Sequence, residues 1–414
     1  MTINVNPDIL VWARETAGLS VDRAAAKLHL TTSVRSTAAE KLEAMESGEK
    51  SPTRNQLSAM SKVYKRPLLV FYMAEPPRTG SRGHDFRQSP DARTRRENAL
   101  LDTLLRDVRA RQEAVRDILQ DEDDVESLAF VGSITIAQGV DHAVAALSRV
   151  LDFNPLAPRS GDSGALFKRL REAAEAAGVF VMVLGDLGSH HHSIPASVFR
   201  GFAIADHVAP FAVINAKDAR PARAFTLIHE LAHVLLGQTG VSGDISTENP
   251  TTDNARVERF CNDVAGEFLL PGAQFRQGVA AFDGGNVDAA RIAVEAIAAR
   301  WSVSEPMVAY RLNRTGDLAG DTYNMLRTEY HARWQANLRR EREASDGGPN
   351  QRVVKQFSLG NALVDLVHRT VRDNTLSHTK AAALLGSKPG AVEPLLRQFE
   401  AKRGSFVSKE RAAT

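Results

Sequence analysis

The segment that most constrains this chain places two histidines four residues apart, with a glutamate directly after the first. It reads Leu227-Ile228-His229-Glu230-Leu231-Ala232-His233-Val234-Leu235-Leu236. In a helix, His229 and His233 lie on the same face, one turn apart. The aliphatic neighbours predict a helix buried on most sides, where unpaired imidazoles would be costly. The segment therefore predicts a shared zinc ion, with Glu230 facing the water that zinc activates.

A second helical pattern, over 255–270, carries Glu258 and Asn262 one turn apart. That spacing suits a third zinc ligand, Glu258, and a helper, Asn262, which hydrogen-bonds a ligand and fixes its orientation. Three protein ligands leave the fourth position of a tetrahedral zinc open, as in catalytic sites. We expect one Zn²⁺ per chain, and Glu230 as the base in peptide hydrolysis. Cys261, the only cysteine, is expected to be a small buried residue rather than a thiol that reaches the zinc.

The residues around these motifs resemble the ImmA/IrrE metallopeptidase family over about half of the chain. The matching runs are Phe199-Arg200-Gly201-Phe202-Ala203-Ile204-Ala205, Val213-Ile214-Asn215, the segment with both histidines, and Glu258-Arg259-Phe260-Cys261-Asn262. The resemblance implies a gluzincin-like zinc peptidase with ligands His229, His233 and Glu258 and with Glu230 as catalytic base. It also implies that the protein cut is a helix-turn-helix repressor.

Helical patterns over 7–75 resemble the XRE-type helix-turn-helix fold, whose third helix enters the major groove of DNA. The spacing before Glu46-Ser47-Gly48 is several residues longer than in that family, and Glu40 and Glu43 weaken the attraction to phosphate. An arginine-rich stretch over 78–96 either grips the DNA backbone or is a solvated linker. The candidate DNA-contacting residues are Arg35, Ser36, Thr37 and Lys41.

The chain has 414 residues, of which 43% are hydrophobic and 25% charged, as expected for a globular protein of several domains. The predicted domains are 1–76, XRE-like; 77–124, a basic linker and a long amphipathic helix; 125–343, ImmA/IrrE-like; and 344–414, a C-terminal helical domain. The apolar stripe of the long helix favours core packing over a dimer seam, although a homodimer stays open. The role of the C-terminal domain is also open between effector sensing, partner binding and dimerisation.

Predicted strands over 179–184, 199–205 and 211–215, among many helices, indicate an α+β, mostly helical fold with a small mixed or antiparallel sheet. The strand over 211–215 either accepts an extended substrate as an added strand or is an ordinary core strand. No apolar run approaches the roughly 20 residues that a membrane span needs, and no leader is recognisable. We expect a cytoplasmic protein without a membrane partner, associated with the nucleoid when it binds DNA.

Three functions compete at this stage. The preferred one is a zinc endopeptidase with a DNA-binding head that cleaves a repressor or regulatory partner and so derepresses stress, prophage or defence genes. The alternative is a DNA-binding regulator or antitoxin whose zinc domain senses or binds a partner with little or no proteolysis. A third is an adaptor in which the metal only stabilises the fold. Glu230 favours the first, because a structural site needs no base. Candidates for stabilising the oxyanion are Arg200, His207 and Tyr310.

Overall fold

The computed structural model describes fourteen stretches of the chain. They are residues 5–33, 36–64, 66–73, 75–76, 84–85, 95–121, 126–157, 159, 162–187, 192–242, 253–272, 274–275, 281–343 and 351–411. Some parts of the chain for which the sequence makes predictions lie outside these residues. They are Arg35, the linker over 344–350 and most of the arginine-rich stretch. The chain divides into two compact units. Unit 1 comprises Met1–Arg82, Ser89–Val108 and Ser189–Ile194, and unit 2 comprises Gly83–Gln88, Arg109–Gly188 and Pro195–Thr414.

Unit 1 contains four short helices around a common core. They are α1 (Pro7–Thr16), α2 (Val21–Lys27), α3 (Ala38–Glu46) and α4 (Arg54–Tyr64), followed by a 3-10 turn over Leu68–Tyr72. Asn6 and Ser20 cap α1 and α2 with their side chains. A buried ion pair between Arg14 and Glu46, 2.7 Å apart, joins α1 to α3. The helices predicted over this region from apolar spacing and capping residues are confirmed.

Three of the candidate DNA-contacting residues, Ser36, Thr37 and Lys41, lie at or just before the start of α3. Thr37 caps this helix: its hydroxyl accepts a hydrogen bond from the Glu40 amide at 3.2 Å, and the Glu40 carboxylate accepts one from the Thr37 amide at 2.8 Å. The Ser36 carbonyl accepts from the Ser33 amide, and the Lys41 ammonium donates to the carbonyl of Thr31. Each of these three residues thus has a local partner within the unit. Their contact with DNA stays a prediction.

Twelve further helices complete the described part of the chain. They are α5 (Arg95–Gln120), α6 (Val140–Val150), α7 (Ser163–Ala176), α8 (Arg223–Leu235), α9 (Asp253–Leu269), α10 (Val287–Trp301), α11 (Glu305–Arg314), α12 (Gly320–Glu343), α13 (Gln351–Leu359), α14 (Asn361–Arg372), α15 (His378–Leu385) and α16 (Val392–Arg411). Helix α5 contributes to both units, since the boundary falls after Val108. Among the described residues, no helix combines the length and the apolar character needed to span a membrane.

Unit 2 is built on a five-stranded mixed sheet in the order β1-β5-β3-β4-β2. The strands are β1 (His84–Asp85), β2 (Phe180–Leu184), β3 (Gly201–Ile204), β4 (Phe211–Asn215) and β5 (Gly240–Ser242). Strand β4 pairs in parallel with β2 and antiparallel with β3, and β5 pairs antiparallel with β3 and in parallel with β1. The predicted α+β, mostly helical class is confirmed for the described residues, and so are the three predicted strands.

The suggestion that β4 takes up a substrate as an added strand is wrong. Both neighbours of β4 are strands of the same sheet, so its backbone amides and carbonyls are already paired on either side. All of its residues are also buried. Strand β4 is therefore an ordinary core strand, which was the other interpretation of its apolar pattern.

A buried ion pair on α7 holds the junction of α13 and α14. Arg171 and Glu175 lie 3.3 Å apart with side chains 8% and 6% exposed. The Arg171 guanidinium donates to the carbonyls of Phe357 at 2.7 Å and Val181 at 2.6 Å, and Glu175 accepts from the Asn361 amide at 3.1 Å. Burial outweighs the attraction within the pair, because it lowers the pKa of Arg171 and raises the pKa of Glu175. The pair thus links α7, β2 and the C-terminal helices at a high desolvation cost.

Candidate metal centre

Helix α8 carries both histidines through the core of unit 2. Each of its residues from 224 to 235 is buried, because it packs against β3, β4, α7 and α9. His229, Glu230 and His233 are 4%, 0% and 0% exposed. The helix gives way to Gly237, whose positive φ of 68° favours glycine at this turn. The prediction of a helix buried on most sides is confirmed.

Helix α9 brings Glu258 to the two imidazoles. The Nε2 atoms of His229 and His233 lie 3.1 Å apart, and Glu258 Oε1 lies 3.6 Å from the first and 3.0 Å from the second. Ligand atoms around a tetrahedral zinc ion lie about 3.3 Å apart, since Zn–N and Zn–O bonds are about 2.0–2.1 Å. The three measured distances bracket this value. The donor set and its spacing therefore fit a zinc ion, and these residues could bind a metal.

The three side chains form one electrostatic group. Burial acts to raise the pKa of Glu258, but His229 and His233 outweigh it and lower that pKa to about 2. Burial acts to lower the pKa of His229, yet Glu258 and Glu230 reverse the direction and raise it. The pKa of His233 is lowered, chiefly by burial. The carboxylate of Glu258 is thus ionised and ready to bind a cation.

Asn262 and Cys261 lie one turn beyond Glu258 on α9. The Asn262 side chain lies close enough to His229 to act towards raising its pKa, as expected of a residue that would orient a ligand. Cys261 is fully buried, and burial raises the pKa of its thiol well above the ordinary value. The expectation of a small buried cysteine is confirmed.

Gly201, the first residue of β3, makes room for Glu230. A Cβ atom at position 201 would overlap the Glu230 carboxylate and lie 2.8 Å from Thr226 Cγ2. The Thr226 hydroxyl donates to Asp218 Oδ2 at 3.1 Å, and Asp218 Oδ1 lies 3.6 Å from a guanidinium nitrogen of Arg200. This network fixes the start of β3 against α8. Only glycine leaves the carboxylate of Glu230 where it is.

We expect Gly201→Ala to displace the Glu230 carboxylate and to lower peptide cleavage by about 100-fold, because a misplacement of about 1 Å can cost that much. Metal content should be unchanged, since position 201 meets Glu230 and Thr226 rather than the imidazoles. The measurement is the rate of peptide cleavage alongside zinc content. Gly320→Ala is the matched control, because a Cβ there meets nothing within 4 Å. Equal rates for the two variants would contradict the prediction.

Two ion pairs join α9 to α11 beyond the histidines. Asp263 pairs with Arg314 at 3.0 Å, and Glu267 pairs with Arg311. Tyr310, a candidate for oxyanion stabilisation, donates its hydroxyl to Asp263 at 3.4 Å. Arg200, another candidate for oxyanion stabilisation, pairs with Asp218. Both side chains thus contribute contacts that hold the fold around the centre.

The part of the chain that carries this centre matches a known protein family. Residues 176–313 match the IrrE N-terminal-like domain family, Peptidase_M78. The match covers one third of the chain and includes β2 to β5 and helices α8 to α10. No curated protein and no solved structure was found to match. The ImmA/IrrE resemblance is therefore supported for this segment, which we call the IrrE-like domain, and its family name indicates a metallopeptidase.

The sequence located the ligand cluster of the IrrE-like domain but missed its surroundings. His229, His233 and Glu258, chosen from spacing and resemblance, do converge on one point. Gly201 stood in the matching runs, but nothing in its context connected it with Glu230. Asp218 was not singled out, because a lone aspartate after a strand is ordinary loop chemistry. The roles of the ligands, of Glu230 and of Asn262 remain predictions that the geometry supports.

Proposed function

We propose that the chain is a zinc-dependent endopeptidase with a DNA-binding head. It cleaves a regulatory protein, most simply a helix-turn-helix repressor, and thereby derepresses stress, prophage or defence genes. The observation that carries the proposal is the convergence of His229, His233 and Glu258 beside the buried Glu230, within the IrrE-like domain. A purely structural zinc site has no use for a carboxylate that is not a ligand.

Each side chain of the centre has a definite task in this proposal. His229, His233 and Glu258 hold the ion, and Asn262 keeps the His229 ring in place. A zinc ion supplies Lewis-acid chemistry, which lowers the pKa of water and polarises a carbonyl. Glu230 accepts the proton of the attacking water and passes it to the leaving amine. The burial of Glu230 strengthens these electrostatic interactions, because the effective dielectric is lower inside the protein.

Zinc is expected to stabilise the chelator-treated chain by about 2.7 kcal/mol when free zinc is at 100 times its dissociation constant. The reason is that the unfolded chain does not bring α8 and α9 together. The measurement is thermal unfolding with and without zinc, together with metal analysis, which should give one ion per chain. The variant His229→Ala with His233→Ala serves as the control and should show no shift. A shift of equal size in that variant would place the ion elsewhere.

The test of the function is incubation of the zinc-loaded chain with a purified helix-turn-helix repressor encoded beside its gene, with the products identified by mass spectrometry. A single defined cut that depends on zinc supports the proposal. An intact repressor that forms a stable complex with the chain supports the alternative instead, in which the chain is a regulator or antitoxin that binds its partner without proteolysis.

A further inference from the structure

The C-terminal helices contain a short helix-turn-helix. Between α15 and α16 only Gly386, Ser387 and Lys388 are non-helical, since a 3-10 turn over Pro389–Ala391 runs directly into α16. Gly386 adopts the left-handed conformation, with φ 56°, which ends α15 sharply. Helix-turn-helix motifs join their helices by a turn of three or four residues that often contains glycine. The connection between α15 and α16 has this length and this residue.

Helix α14 completes a three-helix bundle with this motif. Each of the three helices contacts the other two. Apolar side chains of all three helices are buried, namely Leu363, Val364 and Val367 of α14, Ala381, Leu384 and Leu385 of α15, and Val392, Leu395 and Leu396 of α16. The bundle also packs on the rest of unit 2, since α14 contacts α7 and β2 and α16 contacts α13.

The C-terminal part of the chain carries a surplus of positive charge. Residues 351–414 contain eleven lysines and arginines against five aspartates and glutamates, a surplus of +6. The whole chain has 52 basic and 50 acidic residues, so residues 1–350 hold 41 and 45 and are net negative by four. A segment with a surplus of positive charge is the electrostatic pattern of nucleic-acid binding, and the arginine-rich stretch over 78–96 is a second such segment.

The cations of the motif lie on its solvent face. Lys380 in the first turn of α15, Lys388 in the connection and Arg397 on α16 are all exposed. Arg397 lies 2.9 Å from Glu393, but its side chain is 76% exposed, and such surface pairs contribute little and yield to a stronger anion. The small residues Gly390 and Ala391 at the start of α16 are exposed too, and a Cβ at Gly390 would meet nothing within 4 Å. This end of α16 can approach another surface closely.

Two other helix pairs of the chain show what distinguishes this motif. Helices α10 and α11 are also joined by three residues, but Arg311 and Arg314 of α11 are only 13% and 25% exposed and pair with acids of α9. Helix α11 therefore packs against α9 of unit 2. Helices α2 and α3 are separated by ten residues, more than the three or four that are usual in the motif, and the contact of that unit with DNA stays a prediction. Only α15 and α16, among these pairs, combine the short turn with exposed cations.

We propose that α14–α16 is a second helix-turn-helix unit that binds duplex DNA, with the start of α16 in the major groove and Lys380, Lys388 and Arg397 against phosphates. The second helix of such a motif is the one that enters the groove. The inference does not depend on the metal centre, because the residues that carry it lie outside the segment matched to the IrrE-like domain. The proposal gives the C-terminal helices a ligand, duplex DNA, where the sequence alone predicted no single role.

The test measures binding of the full chain to a fluorescent duplex of about 30 base pairs at several salt concentrations. The variant Lys380→Gln, Lys388→Gln, Arg397→Gln should bind at least tenfold more weakly. The slope of log affinity against log salt should fall by up to about 2.7, since each lost phosphate contact contributes about 0.9. A second variant, Lys380→Arg, Lys388→Arg, Arg397→Lys, keeps the charge and should keep most of the affinity.

The matched control removes three exposed cations elsewhere in unit 2, through Arg149→Gln, Lys168→Gln and Arg327→Gln. It has the same net charge as the first variant and should bind within twofold of the wild type. If the control lost as much affinity for the duplex, net charge alone would explain the effect, and the proposal would be overturned. Unchanged binding in the first variant would overturn it too, and would assign the binding to another part of the chain, such as α1–α4. Tighter binding to single-stranded RNA than to the duplex would also contradict it.

Discussion

Glu230→Gln is expected to lower the rate of peptide cleavage by about 10²–10⁴-fold while zinc content and folding are retained. Glutamine has nearly the shape of glutamate, so the space beside Gly201 is filled as before. An amide cannot accept a proton from water, however, and general-base catalysis contributes a factor of this size. The measurements are the cleavage rate, the zinc content and the thermal unfolding curve of the full chain.

Glu295→Gln is the matched control, because Glu295 lies exposed on α10 of the same domain. It removes the same charge, and its cleavage rate should stay within twofold of the wild type. Retained cleavage in Glu230→Gln would remove the general base from the proposed mechanism. Retained induction of repressed genes by this variant in cells would favour the regulator that binds without proteolysis.

Glu175→Ala is expected to lower the free energy of unfolding of the chain by about 3–5 kcal/mol, because it leaves the Arg171 guanidinium buried without its carboxylate. The loss also includes the hydrogen bond that Glu175 accepts from the Asn361 amide. Denaturant unfolding of the full chain measures the change. The first part to detach should be α13 and α14, since the pair holds their junction.

Glu172→Ala is the control on the same helix. Glu172 also forms an ion pair four residues away, with Lys168, but its side chain is 50% exposed, and such a pair contributes about 0.3–0.5 kcal/mol. Replacing both Arg171 and Glu175 by apolar residues of similar size should recover much of the loss, because the double change removes the buried charges together. If Glu172→Ala and Glu175→Ala lowered the free energy of unfolding equally, the burial of the Arg171–Glu175 pair would make no difference to stability.

Local patterns in the sequence were enough for the helices and for the ligand cluster. Helical spacing placed His229 and His233 on one face of α8, and the pattern over 255–270 predicted the helix that brings Glu258 to them. The strands β2, β3 and β4 have long enough apolar runs to be recognised. These features depend on residues that are close in sequence, which is why one chain is sufficient to predict them.

Features that depend on distant pairing could not be predicted in this way. Strands β1 and β5 have two and three residues, too few for any periodicity, and they exist because they pair with each other and with β3. The internal position of β4 is a property of strand order, which no local pattern encodes. Arg171 and Glu175 have the spacing of an ordinary surface pair on a helix, and the packing of β2, α13 and α14 against α7 buries them.

The enclosure of Cys261 has a consequence for behaviour under oxidants. A thiol reacts with peroxide or with another thiol as the thiolate, and here both the raised pKa and the lack of solvent access oppose that form. Since the chain has one cysteine, two natively folded copies cannot be joined through a disulfide unless α9 first opens. Peroxide is therefore expected to oxidise other side chains of this protein before it oxidises Cys261.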